Sequence, residues 1–205
     1  MRLRRGGARN KRDRETWQLS EHDCRKILAG ADAAWEIGAP FNRFATLAWQ
    51  LGGFAPQDCV RLTGQFINLS RDWLAARGHS MPWVWTQERG DKYGAHAHAL
   101  FHVPPELDLL FRPMPQRWAK HLLGGTYVKG VVQCQSLASR RAAYSNPEFY
   151  WAELRGKLRY MLKSAPAELE GVFGMIGWGN APWGQSCKTY GKRAGVWQYR
   201  QARRG

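Results

Sequence analysis

The sequence predicts an α+β domain: a mainly antiparallel sheet with helices packed on it. Two observations carry this expectation. Period-two and amphipathic segments follow each other in the order strand, helix, hairpin, helix, strand, helix. Two of the strands, 83–89 and 95–103, are separated only by the turn from Gly90 to Gly94, so they run antiparallel.

Each element has a local reason. Ser20 is placed to cap a helix over about 20–37, with Asp23 at the reciprocal capping position and Gly38 and Pro40 ending it. Residues 41–49 read as the first strand. Residues 57–77 carry Val60, Thr63, Phe66, Ile67, Trp73 and Leu74 at helical spacing, and Gly78 stops them. Residues 115–123 read as a short helix, 127–135 as a strand and 147–164 as a helix. The chain divides on this reading into a basic arm and helix (1–39), a central domain (40–165) and a basic segment rich in Gly and Trp (166–205).

The chain has 205 residues, 44% of them hydrophobic, enough for one domain with a core. No segment is long and apolar enough to span a membrane, and the basic N-terminus has no apolar stretch behind it. The four cysteines, Cys24, Cys59, Cys134 and Cys187, form no CxxC pair. A cytoplasmic protein with reduced thiols is expected.

Charge supplies the first functional clue. Thirty-one Lys and Arg face 16 acids, a net of +15. Residues 1–14 hold seven basic residues and one acid, and no acid follows Glu170. Such a field attracts polyanions, chiefly nucleic acid. The plainer reading is solubility, or RNA binding of the ribosomal kind.

The segment from Gly94 to Val103 points to a metal. Alternation on a strand puts His96, His98, Leu100 and His102 on one face and Ala95, Ala97, Ala99, Phe101 and Val103 on the other. If residues 90–94 form the loop, Glu88 pairs with His96 and faces the same side. A slip of one residue would bring Gln87 in instead. Two imidazoles and a carboxylate suit a divalent ion: Mn²⁺ or Mg²⁺ if a phosphate oxygen is the ligand that matters, with Zn²⁺ or Co²⁺ also chemically possible. His102 is the other candidate ligand. The plainer reading is a set of ordinary half-buried histidines.

The helix over 147–164 places Trp151, Leu154, Leu158, Met161 and Leu162 on one face, with Tyr160 roughly opposite and Lys157 and Lys163 beside it. A free phenol, with a pKa of about 10, is a weak nucleophile at neutral pH. A nearby ammonium or metal activates it or neutralises phosphoryl oxygens. The plainer reading is a surface tyrosine on a basic helix.

Taken together these segments resemble the HUH endonuclease superfamily. His96-Ala97-His98 is similar to its histidine–hydrophobic–histidine motif, and Tyr160-Met161-Leu162-Lys163 to its single-tyrosine YxxK motif. Arg43 to Trp49 (RFATLAW) resembles its first-strand motif. The likeness covers about residues 40–165 and lies nearest the rolling-circle replication initiators of small bacterial plasmids and phages. Gly191-Lys192-Arg193-Ala194-Gly195 resembles their tails more weakly.

The resemblance implies a five-stranded antiparallel sheet of the RRM-like, ferredoxin-like kind bearing the metal. It implies His96, His98 and Glu88 as ligands of Mn²⁺ or Mg²⁺, Tyr160 as nucleophile and Lys163 as the group that steadies phosphate or phenolate. It implies nicking of single-stranded origin DNA through a 5′-phosphotyrosine, with later rejoining. No second tyrosine stands in a YxxxY arrangement, and no GxxxxGK[ST] loop is present, so a host helicase and a polymerase are expected partners.

Arg43, Lys157, Lys188, Lys192, Arg193, Trp197 and Arg200 are the expected DNA contacts. In the tail, Trp178, Trp183, Tyr190, Trp197 and Tyr199 alternate with basic residues and could stack on unpaired bases; the plainer alternative is that the tryptophans pack on the sheet. Competing functions are an HUH transposase or relaxase with the same chemistry, a non-catalytic nucleic-acid-binding protein, and a zinc hydrolase built on His96, His98 and His102.

Overall fold

The computed structural model describes residues 11–137 and 145–198. It is an α+β fold with a five-stranded sheet in the order β5-β2-β4-β3-β7, every pairing antiparallel. The strands are β2 (Arg43–Leu47), β3 (Trp83–Gly90), β4 (Gly94–Phe101), β5 (Val132–Ser136) and β7 (Ala194–Val196). A two-stranded ribbon pairs β1 (Glu15–Thr16) with β6 (Thr189–Tyr190). The helices are α1 (Glu21–Glu36), α2 (Cys59–Ala75), α3 (Asp108–Phe111), α4 (Met114–Leu122), α5 (Pro147–Leu162) and α6 (Glu168–Val172).

The sheet is covered on both faces. Ala95, Ala97, Ala99 and Phe101 join Ala45, Leu47 and Trp85 in a core closed by α2 and α4, where Leu62, Phe66, Ile67 and Trp118 are buried. The other face sets Leu100, Val84 and Phe44 against α1 and α5 through Ile27, Ala31, Leu154, Leu158 and Leu162. The small alanines let α2 approach closely, which brings Trp49 Nε1 within 3.0 Å of the Thr63 hydroxyl, to which it donates.

The helix signals act as read. Ser20 accepts from the Asp23 amide and Asp23 answers at the Ser20 backbone, so both halves of the capping box are made. Asn146 caps α5 by accepting from the Phe149 amide, with Pro147 at the first helical position. The strand expected over 127–135 starts later, at Val132, because Gly130 takes a φ of +91° and the chain turns there.

The segment after residue 165 is structured and belongs to the same sheet. Strand β7 pairs with β3 from Val84 to Thr86, and Val196 packs in the α1/α5 core. The core thus runs across both expected boundaries, 39/40 and 165/166. Glu15 and Thr16, ahead of α1, pair with Tyr190 and Thr189. Residues 1–10, Tyr144, Tyr199 and Arg200 lie outside the described residues. Among the described residues no helix is long and apolar enough to cross a membrane.

Candidate metal centre and tyrosine cleft

The site is built on the central strand of the sheet. The β3–β4 register sets Glu88 opposite His96 and Thr86 opposite His98, the pairing expected from the loop. On the other side β2 sets Thr46 opposite His98. Gly94 fixes this register. Its φ is +61°, and a side chain there would strike Gln50, whose Oε1 accepts from the Ala95 amide at 2.7 Å. Only glycine meets both demands.

Glu88, His96 and His98 then converge. Glu88 Oε1 lies 2.8 Å from His96 Nε2 and 3.1 Å from His98 Nε2, and their ligand atoms all fall within 4.8 Å of one another. The far side of each ring is also held. His96 Nδ1 is 2.8 Å from the Gly94 carbonyl and His98 Nδ1 is 3.1 Å from Thr46 Oγ1. Such outer contacts fix which nitrogen faces a metal. Both nitrogens of His96 therefore face oxygens, which requires either two N–H donors or a cation between Nε2 and Glu88. The three residues fit a divalent ion in donor type, spacing and orientation.

Electrostatics favour the same use. Burial acts to raise the Glu88 carboxyl, but hydrogen bonds with His96, His98 and the Lys163 ammonium outweigh it and hold the group well below the usual carboxylate range. Burial pushes the His98 imidazole down, against the pull of Glu88, which favours the neutral ring that ligates metals.

Helix α5 brings Tyr160 to this cluster. The Tyr160 ring sits edge-on to His98, with centroids 4.9 Å apart, and edge-on to Phe44 at 6.3 Å. Lys163, at the C-terminal end of the helix where a cation is favoured, has its ammonium 3.7 Å from the Tyr160 ring centre and 2.8 Å from Glu88 Oε1. Tyr160 is half-buried at the rim of the core, and the face expected to meet solvent is shared with other partners. The C-terminal segment covers α5 from that side: Arg159 is buried, pairs with Glu170 and donates to the Gly179 carbonyl. A cleft of about 590 Å³ opens beside Tyr160 and His98, with Lys157, Tyr93 and Asn180 on its walls. The Lys157 ammonium lies 4.9 Å from the Phe44 ring centre.

Other expected residues are placed differently. His102 stands past the end of β4, its Nδ1 2.7 Å from the Pro40 carbonyl, and it is not in the cluster; among the described residues only Glu88, His96 and His98 group this way. Arg43 is a correction. Strand alternation sends it to the face opposite the histidines, where it is buried and paired with Asp108. Arg193 is another. It is buried and donates to the Thr16 and Cys187 carbonyls and to Thr189 Oγ1, tying β1 and β6 together.

Trp197 is half-buried and its Nε1 donates to the Gly30 carbonyl, and Trp183 is buried. Lys188 pairs with Glu15, while Lys192 is exposed 6.0 Å from the Trp85 ring centre. Tyr150, on the same helix as Tyr160, is buried and stacked on Trp35. Phe44, Thr46, Tyr93 and the loop at 179–181 were not read from the sequence; for Phe44 and Thr46 the signal was period two on β2, which points them toward the histidines.

Burial also pushes the His102 imidazole below its ordinary value of 6.5. The unfolded chain then binds protons that the folded chain does not, so stability falls as pH drops through about 6.5. Thermal melts in chelator between about pH 7.5 and about pH 5.5 should show this decline, and His102→Gln should reduce it. An unchanged decline would assign it to His98 alone.

Comparison of the chain with protein-family models, with curated proteins and with solved structures finds no match.

Proposed function

We propose that this protein is a metal-dependent, single-tyrosine DNA strand transferase of the HUH type, which nicks single-stranded origin DNA to start rolling-circle replication. One observation carries the reading: in a strongly basic chain, Tyr160 and Lys163 of α5 adjoin a buried Glu-His-His cluster on β3 and β4, and Tyr160 and His98 line one cleft. A structural tyrosine or a structural histidine pair explains none of the others.

Glu88, His96 and His98 would hold Mn²⁺ or Mg²⁺, which supplies charge neutralisation and polarisation at a phosphate. The chain's own residues do the rest. Tyr160 attacks phosphorus, the bond to the 3′ oxygen breaks, and a tyrosine phosphodiester forms. The phenolic proton is lost and the departing 3′ oxygen gains one, so no net proton is exchanged. Lys163 places its charge beside the phenol and the carboxylate, and Lys157 places another at the cleft wall. The phosphodiester energy stays in the tyrosine link, which allows rejoining by the 3′-OH without a nucleotide cofactor.

The origin strand is the substrate, a host helicase and polymerase are the partners, and the cytoplasm is the compartment on this reading. A transposase or relaxase would share the site. The zinc hydrolase loses its third histidine, since His102 is held on Pro40.

The test is incubation of the full chain with single-stranded DNA of its own replicon and Mn²⁺, followed by a denaturing protein gel. A slower, DNA-linked band that needs both metal and Tyr160 is expected. DNA binding with no linked band in any fragment would replace this reading with a non-catalytic binding protein.

A further inference from the structure

The cleft beside Tyr160 has features that nicking chemistry does not use. Gly156 stands in the middle of α5, a poor place for glycine, yet a Cβ there would meet nothing within 4 Å. Packing does not require it, and the space it leaves is the cleft. Glu153, on the same wall, is exposed and has no ion-pair partner among the described residues. Lys157, one turn later, lies over Phe44 instead of pairing with it.

A bare carboxylate repels phosphate but accepts hydrogen bonds from the amino group of a base. Glu153 is about 10 Å along the helix from Tyr160, so the cleft has a phosphate end at Tyr160, His98 and Lys157 and a base end at Glu153. Asn180 also lines the cleft, on a loop that Arg159 fastens through the Gly179 carbonyl. The volume falls within the range of about 300–1,000 Å³ typical of small-ligand sites.

The geometry points to this cleft as the seat of one unpaired nucleotide next to the cut, its base carrying an exocyclic amine, as cytosine, adenine and guanine do, and selected by Glu153 against thymine. This rests on the nicking reading and deepens it. The experiment is fluorescence anisotropy of labelled dC, dA and dT oligonucleotides of about twelve residues, with the full chain in chelator so that no strand is cut.

The wild type should bind dC and dA at least about fivefold more tightly than dT, the lower end of what one base-edge contact discriminates. Glu153→Gln, which can also donate to thymine, should bring the three within about twofold. Gly156→Trp should weaken all three while its thermal melt stays at the wild-type value, which separates a filled cleft from misfolding. Equal binding by the wild type, a preference that survives Glu153→Gln, or unchanged binding by Gly156→Trp each overturns the subsite. Metal-dependent adduct formation persisting in those cases leaves the nicking reading standing; discrimination without any adduct overturns nicking alone.

Discussion

Replacing Glu88 with Gln is expected to abolish metal-dependent chemistry while leaving the fold in place. Glu88 is the hub of the site: one oxygen meets His96, His98 and Lys163 at 2.8, 3.1 and 2.8 Å. Losing an outer partner of a metal ligand costs about 10–100-fold in affinity, so losing a ligand should cost about 100-fold or more. Titration of Mn²⁺ followed by the spin-resonance signal of the free ion reads this directly. Retained affinity would place the ion elsewhere.

The same substitution has a pH signature. The Glu88 carboxyl is held below its ordinary value of 4.5, so it adds stability that is present above about pH 4.5 and is lost as the pH falls through the lower folded-state value. The gap in stability between wild type and Glu88→Gln should therefore hold down to about pH 5 and close only in stronger acid. A gap that closes near neutrality would mean that Glu88 is protonated in the folded protein.

The largest effect on stability is expected at Arg159. Its guanidinium and Glu170 are both nearly buried, 2.5 Å apart at closest, and Glu170 also accepts from the Trp183 amide. Arg159→Met strands a buried carboxylate, which costs about 3–5 kcal/mol. At roughly 2–4 °C per kcal/mol for a chain of this size, the melting temperature should fall by about 10 °C.

A double substitution, Arg159→Met with Glu170→Leu, should recover most of the loss, because two well-packed apolar groups replace the pair. Recovery separates the ion pair from simple packing; no recovery would mean the hydrogen bond to the Gly179 carbonyl carries the effect. The position matters for function, since the pair fastens the 179–181 loop to the helix that bears Tyr160.

The hairpin was legible because two local signals agree. Period two puts His96 and His98 on one face, and a loop over 90–94 sets Glu88 opposite His96; the slip to Gln87 is excluded by the structure, where Gln87 donates to the Tyr190 and Lys192 carbonyls. The capping box and the α5 spacing were legible for the same reason: each acts within one turn of chain. What failed was long-range. Counting charge cannot separate a solvated arginine from a buried one, and the partner of Arg43 is Asp108, 65 residues away.

Strand β7 has three residues and gives no period. It is a strand only because β3 supplies the ladder and α1 covers it. One consequence is practical: removing residues 188–205 deletes the edge of the sheet along with the tail charges, so Lys188 and Lys192 are better tested by single substitutions to Ala.

The most direct test of the account is to find the atom that carries the DNA. The protein is incubated with Mn²⁺ and replicon single strand, the product is digested with trypsin and nuclease, and the residual nucleotide is located by mass spectrometry. A phosphodiester-linked nucleotide on Tyr160 is expected, absent without metal and absent in Glu88→Gln. A nucleotide on another tyrosine, Tyr93 at the hairpin turn above all, or strand bound without any covalent link, would contradict it.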